Sequence, residues 1–259
     1  MSSIYRPSQP DGRRSTPRGT RIVVAAVVLL CVAALVATAV LVGGDDDTDT
    51  QTSSPNEQTP TSPVSSATAG ECSEPPQPPA EPETYSEPPD PALAEGATWN
   101  ATVTTNCGDI QLELYGDKAP QTVASFLQLG RDGYYDDSPC HRLTTQGIFV
   151  LQCGDPTGTG TGNPGYGYGI ENAPPDGNYP TGTLAMARGA DPNSNGGQFF
   201  IVHKDTSLPG GYSIFGQVTS GLEIVQAIAK EGVSPQSPTA GDGPPAQPIS
   251  ILDVSVEQA

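Results

Sequence analysis

A side chain does chemistry as a nucleophile, as a group titrating near neutral pH, or as a metal ligand, and this chain of 259 residues offers little of each. His141 and His203 are its two histidines, too few for a histidine-rich metal site. Cys140 precedes His141 directly, but neighbours on a strand point to opposite faces, which argues against a Cys–His nucleophilic pair. Gly160-x-Gly162-x-x-Gly165 has the spacing of a dinucleotide fingerprint. Pro164 interrupts it and no βαβ unit surrounds it, so it reads as a glycine-rich loop packed beside a sheet. A formal charge of −18 weighs against non-specific nucleic-acid binding, because such a surface repels a polyanion. No metal or cofactor is expected.

The elements that would carry a site occupy only part of the chain. The 30 Gly and 28 Pro together make 22% of it, close to low-complexity composition, which excludes one packed domain over the whole length. Ile22 to Val42 runs 21 residues without a charge, enough at 1.5 Å per residue to cross the ~30 Å hydrocarbon core, and predicts a transmembrane helix at 22–42. Arg6, Arg13, Arg14, Arg18 and Arg21 precede it, and Asp45, Asp46 and Asp47 follow. The positive-inside rule then makes residues 1–21 a cytoplasmic basic arm and places the remainder outside the membrane. Ala37-Thr38-Ala39 keeps a cleaved signal peptide open as the alternative, although the apolar run exceeds a signal h-region. A lipoprotein through Cys31 is weaker, because Leu30 is large where processing wants a small residue. Residues 43–96 hold 12 acids and no Lys or Arg, and predict a disordered acidic Pro/Ser/Thr-rich linker.

Residues 97–259 carry the periodicity of a folded domain. Trp99, Ala101 and Val103 alternate with polar residues, the turn Asn106-Cys107-Gly108 follows, and Ile110, Leu112 and Leu114 resume the period of two, which predicts a hairpin. Pro120 opens a short amphipathic helix with Val123, Phe126 and Leu127 on one face and Gly130 as its stop. Strands are predicted at 148–152, 182–187, 198–203, 213–218 and 249–256. A second helix follows a capping box of Ser220 and Glu223 and stops at Gly232. Many strands with two short helices predict an antiparallel barrel or sandwich.

Three segments resemble one family. They are Cys140-His141-Arg142-Leu143, the run Gln152-Cys153-Gly154-Asp155-Pro156-Thr157-Gly158-Thr159-Gly160, and Met186-Ala187-Arg188 through Asn195-Gly196-Gly197-Gln198-Phe199-Phe200-Ile201. In order and spacing they resemble the cyclophilin-type peptidyl-prolyl cis–trans isomerases, most of all exported, membrane-anchored members of actinobacterial type. The resemblance implies a mainly β fold: a closed eight-stranded antiparallel β-barrel with two capping helices. It implies that Arg142 is the catalytic arginine, Gln152 the glutamine that holds substrate backbone, Phe149 and Leu208 walls of a proline pocket, and Phe200 its floor. Met186, Ala187, Arg188 and Gln198 would line the groove beside the pocket, with Tyr212 where a histidine is frequent. His141 would be a buried, hydrogen-bonded neighbour of the arginine at the substrate site. Taken singly, Arg142 would read as a surface ion-pair partner and Phe200 as core; their occurrence in register favours function.

These residue types suffice because rotation about an X–Pro amide breaks no bond. Its barrier of ~18–20 kcal/mol comes from electrons shared between carbonyl and nitrogen. The twisted amide returns a lone pair to the prolyl nitrogen, and a guanidinium aimed there binds only the transition state. The substrates would be proline-containing polypeptides, met by a monomer held to the membrane by its N-terminal helix. A non-catalytic proline-binding or scaffold module is the alternative function.

The chain departs from the family in places. Nine residues separate Arg142 from Gln152, two more than usual, which predicts a longer bulge or turn at 143–148. Ser207 stands where relatives often carry tryptophan, which puts tight cyclosporin binding in doubt, and Arg188 where asparagine is frequent, which favours acidic flanks. With Cys31 in the membrane segment, Cys72, Cys107, Cys140 and Cys153 remain for an oxidising compartment. Cys140 and Cys153 flank strands that should pair, which predicts a bridge between them and leaves Cys72 with Cys107.

Overall fold

The computed structural model describes residues 72–259. The basic arm, the apolar segment 22–42 and the first part of the acidic linker lie outside the described residues. Among the described residues no helix is long and apolar enough to cross a membrane.

Strands β1 (Thr98–Thr105) and β2 (Gly108–Tyr115) form the expected hairpin, with Trp99, Ala101 and Val103 facing inward opposite Leu114, Leu112 and Ile110. Helix α1 (Pro120–Arg131) begins at the proline, whose missing N–H costs nothing in a first turn. It does not stop at Gly130. That glycine is buried inside the helix, where a Cβ would press on Val254, and Asp132 closes the helix instead. Phe126 on its inner face meets the rings of Tyr135, Phe199 and Phe215 at 5.3–5.6 Å. Truncating such a residue to alanine costs on the order of 3–5 kcal/mol.

The chain continues through β3 (Ser138–Pro139), β4 (Arg142–Thr144), β5 (Val150–Cys153), β6 (Asn178–Tyr179), β7 (Thr183–Met186), β8 (Phe199–Val202), β9 (Thr206–Ser207) and β10 (Ile214–Ser220). Helix α2 (Leu222–Glu231), β11 (Asp242–Gly243) and β12 (Ser250–Gln258) complete it. The capping box is not formed. Ser220 is still paired with Gln111 in the sheet, and the cap of α2 is Gly221, at φ 83°, a conformation a side chain would resist.

The fold is mainly β, a curled antiparallel sheet with two helices. Ten strands run β11-β4-β5-β8-β7-β10-β2-β1-β12-β3, and among the described residues no pairing joins β11 to β3; β6 and β9 pair apart. The segment Ser138–Thr144 lies beside β12 as far as Cys140, whose N–H reaches Ile249 O, and beside β5 from Arg142 onward, so one stretch of chain touches strands near both ends of that order. β11 then covers the outer edge of β4.

Residues 72–96, read from composition as part of a disordered linker, are packed on the domain. Cys72 is bonded to Cys107, Ser73 pairs with Asn106, and Tyr85 donates its N–H to Pro164 O. A single 3-10 turn at Pro91–Ala94 is capped by Asp90, and the Trp99 indole donates to Ala94 O at 3.0 Å. Composition misjudged the segment because its few apolar groups are buried against the domain's core and not against each other.

Candidate active site

Three strand pairings set one row of side chains. Arg142 on β4 faces Gln152 on β5, Gln152 faces Phe200 on β8, and Phe200 faces Ala185 on β7. Directly opposed residues of antiparallel strands project to the same side. The next row, Cys153, Phe199 and Met186, therefore projects to the opposite side, into the main core. Cys140 is joined to Cys153 there, bracing the segment before Arg142 against the residue after Gln152.

The first row opens into a groove of about 680 Å³. One end is apolar: Phe200, Val150, Tyr179 and Leu208 form a small cluster apart from the main core, with Ile148, Ala187 and Tyr212 against it. Tyr212 stands edge-on to Phe200 at 5.7 Å, and its backbone N–H is held by the buried Tyr179 hydroxyl at 2.8 Å. Such a recess suits a ring the size of pyrrolidine.

The other end is polar and ordered by a directed chain of hydrogen bonds. Asp242 accepts from Arg142 Nε and Nη2, each at 2.7 Å. Arg142 Nη1 donates to Gln152 Oε1 at 3.4 Å, and Gln152 Nε2 donates to Gln198 Oε1 at 2.8 Å. Gln198 Nε2 in turn donates to Gly160 O at 3.1 Å and Gly162 O at 2.8 Å. The glycine loop is thus one wall of the groove, held by the buried Asp155, whose carboxylate accepts from the N–H groups of Thr157, Gly160 and Gly162. A Cβ at Gly162 would sit on that carboxylate, so the position requires glycine. Burial pushes the Asp155 carboxyl up, but these hydrogen bonds and that of the Thr157 hydroxyl outweigh it and hold it below the usual range. The hydrogen bond to Asp242 raises Arg142 above its ordinary value, so it stays charged.

The groove brings together Arg142, Gln152, His141, Ala187, Arg188, Gln198, Phe200, Leu208 and Tyr212. Two expectations are corrected. Phe149 does not line it: its ring stands edge-on to His203 at 5.9 Å with Lys204 4.4 Å above it. It is an odd number of residues from Gln152, and strand parity sends Val150 and Ile148 to the groove side instead. Met186 is 1% exposed in the main core, one residue out of phase with Ala185 and Ala187. His141 lines the groove, but neither ring nitrogen has a hydrogen-bond partner, and burial lowers its pKa. Arg188 lies 5.1 Å from the Tyr212 ring and spends its donors on the carbonyls of Gly189, Gly210 and Gly211. The lengthened segment after Arg142 is the turn of the β4–β5 hairpin, with no bulge in the paired residues. Ser207 is exposed on β9.

Sequence reasoning missed Asp242, Asp155, Tyr179 and Val150. Strand parity would have found Val150, and the Asp155 side chain sits within a motif already singled out; nothing near Asp242 in the sequence points to Arg142.

A family model described as cyclophilin type peptidyl-prolyl cis-trans isomerase/CLD matches residues 100–256. A second, the N-terminal domain of carboxypeptidase Rv3627c-like proteins, matches residues 10–65. The chain is 40% identical over 174 residues to the probable peptidyl-prolyl cis-trans isomerase B of Mycobacterium leprae, covering 62% of this chain and 58% of that protein. It is 39% identical over 181 residues to the probable isomerase A of Mycobacterium bovis, covering 62% of this chain and 93% of that one. Among solved structures, a cyclophilin type peptidyl-prolyl cis-trans isomerase of Cryptosporidium parvum is similar with a TM-score of 0.52 and 32% identity, covering 62% of this chain and 99% of that one. The same protein is also solved in the presence of the dipeptide Ala-Pro.

Proposed function

The chain belongs to the cyclophilin-type peptidyl-prolyl cis–trans isomerase family, and from that membership we propose that it accelerates rotation of X–Pro bonds in exported polypeptides. The observation that carries the reading is the register of Arg142, Gln152 and Phe200, which sets a charged donor, an amide and an apolar recess side by side. The recess between Phe200, Leu208 and Tyr212 receives the pyrrolidine ring and holds it still. Gln152, its amide oriented by Gln198, holds substrate backbone on one side of the rotating bond. The preceding carbonyl then swings, and as conjugation is lost the prolyl nitrogen becomes an acceptor for an Arg142 N–H. That hydrogen bond exists only at the twisted geometry, so it lowers the barrier without tightening the ground state.

Arg142→Ala in the full-length chain is expected to lower kcat/KM by about 10²–10³, the effect of losing one preorganised donor, with the circular dichroism spectrum unchanged. A loss below threefold would overturn the mechanism and leave the proline-binding scaffold as the reading. We further propose a monomer anchored by residues 22–42 with its isomerase domain outside the membrane, supported by the charge asymmetry around that segment. Protease added to intact cells stripped of outer layers should remove the isomerase domain and spare a tag at residue 2; the reverse pattern would invert the topology.

A further inference from the structure

We propose that Asp242 is a positioning residue of this site: it holds the Arg142 guanidinium by one edge so that the remaining donors face the substrate. The proposal rests on the catalytic reading of Arg142. A guanidinium has five N–H donors in a rigid plane. Asp242 takes one on Nε and one on Nη2, and Gln152 takes one on Nη1. One donor on Nη1 and one on Nη2 are left over, and both Asp242 and Arg142 line the groove. A two-point contact on one edge and a third contact on Nη1 fix the plane of the group, which a single contact would not do.

The carboxylate is itself held in place. Asp242 lies 100 residues from Arg142 in the chain, yet β11 pairs with β4 so that Asp242 faces Thr144 and Gly243 faces Leu143. Thr145 donates its N–H to Gly241 O at 2.8 Å, Asp242 N–H reaches Thr239 O at 3.2 Å, and the Ser237 hydroxyl donates to Asp242 O at 2.6 Å. Arg142–Asp242 is the one ion pair among the described residues, in a domain where acids far outnumber bases. Each of its side chains is 37% exposed, so water screens the attraction and the pair adds little to stability. Its consequence is orientation. A free arginine side chain must surrender its rotamer freedom when the twisted amide forms, whereas a clamped one has surrendered it beforehand.

The test is a double-mutant cycle on the full-length chain, read by a protease-free exchange assay on an X–Pro peptide. Asp242→Ala is expected to lower kcat/KM about tenfold, through kcat with KM nearly unchanged, and to change it less than twofold in an Arg142→Ala background. Asp242→Asn, which keeps one accepting oxygen, should lose about threefold, and it carries the test should the alanine variant misfold. Equal losses from Asp242→Ala in both backgrounds, or no loss beside intact Arg142, would overturn the clamp. A second readout does not depend on catalysis: the Arg142 Nε–H should exchange slowly with solvent by NMR in the native chain and fast in Asp242→Ala. Equally fast exchange in both refutes the clamp even where Arg142→Ala abolishes turnover. Slow exchange that Asp242→Ala abolishes, beside an Arg142→Ala variant of native activity, upholds the clamp and refutes the catalytic reading alone.

Discussion

Asp155→Asn perturbs the groove while leaving Arg142, Gln152 and Phe200 in place. Asp155 is 0% exposed. Its Oδ1 accepts from Thr157 N and Oγ1 at 2.9 and 2.7 Å, and its Oδ2 from Gly160 N and Gly162 N at 2.7 and 3.1 Å. An amide whose nitrogen takes the place of Oδ2 sets a donor against two groups that can only donate, the N–H groups of Gly160 and Gly162. Hydrogen bonds to a charged group contribute about 1.5–3 kcal/mol each, so losing two costs about 3–6 kcal/mol locally. Thr157 to Thr161 is largely exposed, with little packing to resist such a loss, so the loop should detach while the sheet stays folded. Gln198 then loses its acceptors at Gly160 and Gly162, and Gln152 loses its fixed partner. We expect kcat/KM to fall about 10–100-fold, roughly 1.4–2.7 kcal/mol of the local loss, with far-ultraviolet circular dichroism unchanged. Exchange spectroscopy on an X–Pro peptide measures the rate, and amide hydrogen exchange at Gly160 and Gly162 reports the loop. A freed loop with kcat/KM within twofold of the native chain would refute the coupling between loop and glutamines. Asp155 titrates below the usual carboxylate range, so it is ionised at assay pH and the comparison is one of charge against amide.

The two disulfides should separate stability from turnover. By loop length, removing Cys72–Cys107 (separation 35) should cost about 3.8 kcal/mol and removing Cys140–Cys153 (separation 13) about 2.9 kcal/mol. Only the second should lower kcat/KM, because it braces the strands of Arg142 and Gln152; equal kinetic effects of the two serine double variants would sink that assignment. The pH dependence follows from His141 and His203, both lowered by burial from the ordinary 6.5. As pH falls below that value the unfolded chain binds protons that the folded chain refuses. Stability is therefore complete above it and declines below, by at most about 1.4 kcal/mol per pH unit for each histidine. Urea midpoints at pH 7.5 and 5.5 test this, and a midpoint that rises on acidification would contradict it.

Local pattern carried far in this chain. Trp99, Ala101 and Val103 on one strand and Ile110, Leu112 and Leu114 on the next announce a half-buried hairpin, because a period of two leaves one face to bury. Pro120 marks the start of α1 for an equally local reason, its fixed φ and absent N–H. The segments around Arg142, Gln152 and Phe200 identify the family and most of the groove. Beyond that hairpin and the pairing of the Arg142 and Gln152 strands, which strand lies beside which was not legible. Phe149 and Met186 belong to the right strands and face the wrong way, since one residue of phase decides the side. Gly130 and Ser220 have the types that end and begin helices, but Val254 packed on one and Gln111 paired with the other overrule them. Residues 72–96 look unfoldable alone, yet Tyr85 packs near Tyr134 and Tyr166 at 6.5 and 6.2 Å, and Gln121 donates to Pro89 O. Asp242 reaches Arg142 only because β11 lies on β4. Periodicity and capping are set within a few residues of chain, so sequence determines them; the groove is made of contacts between segments tens of residues apart, and only the folded sheet decides those.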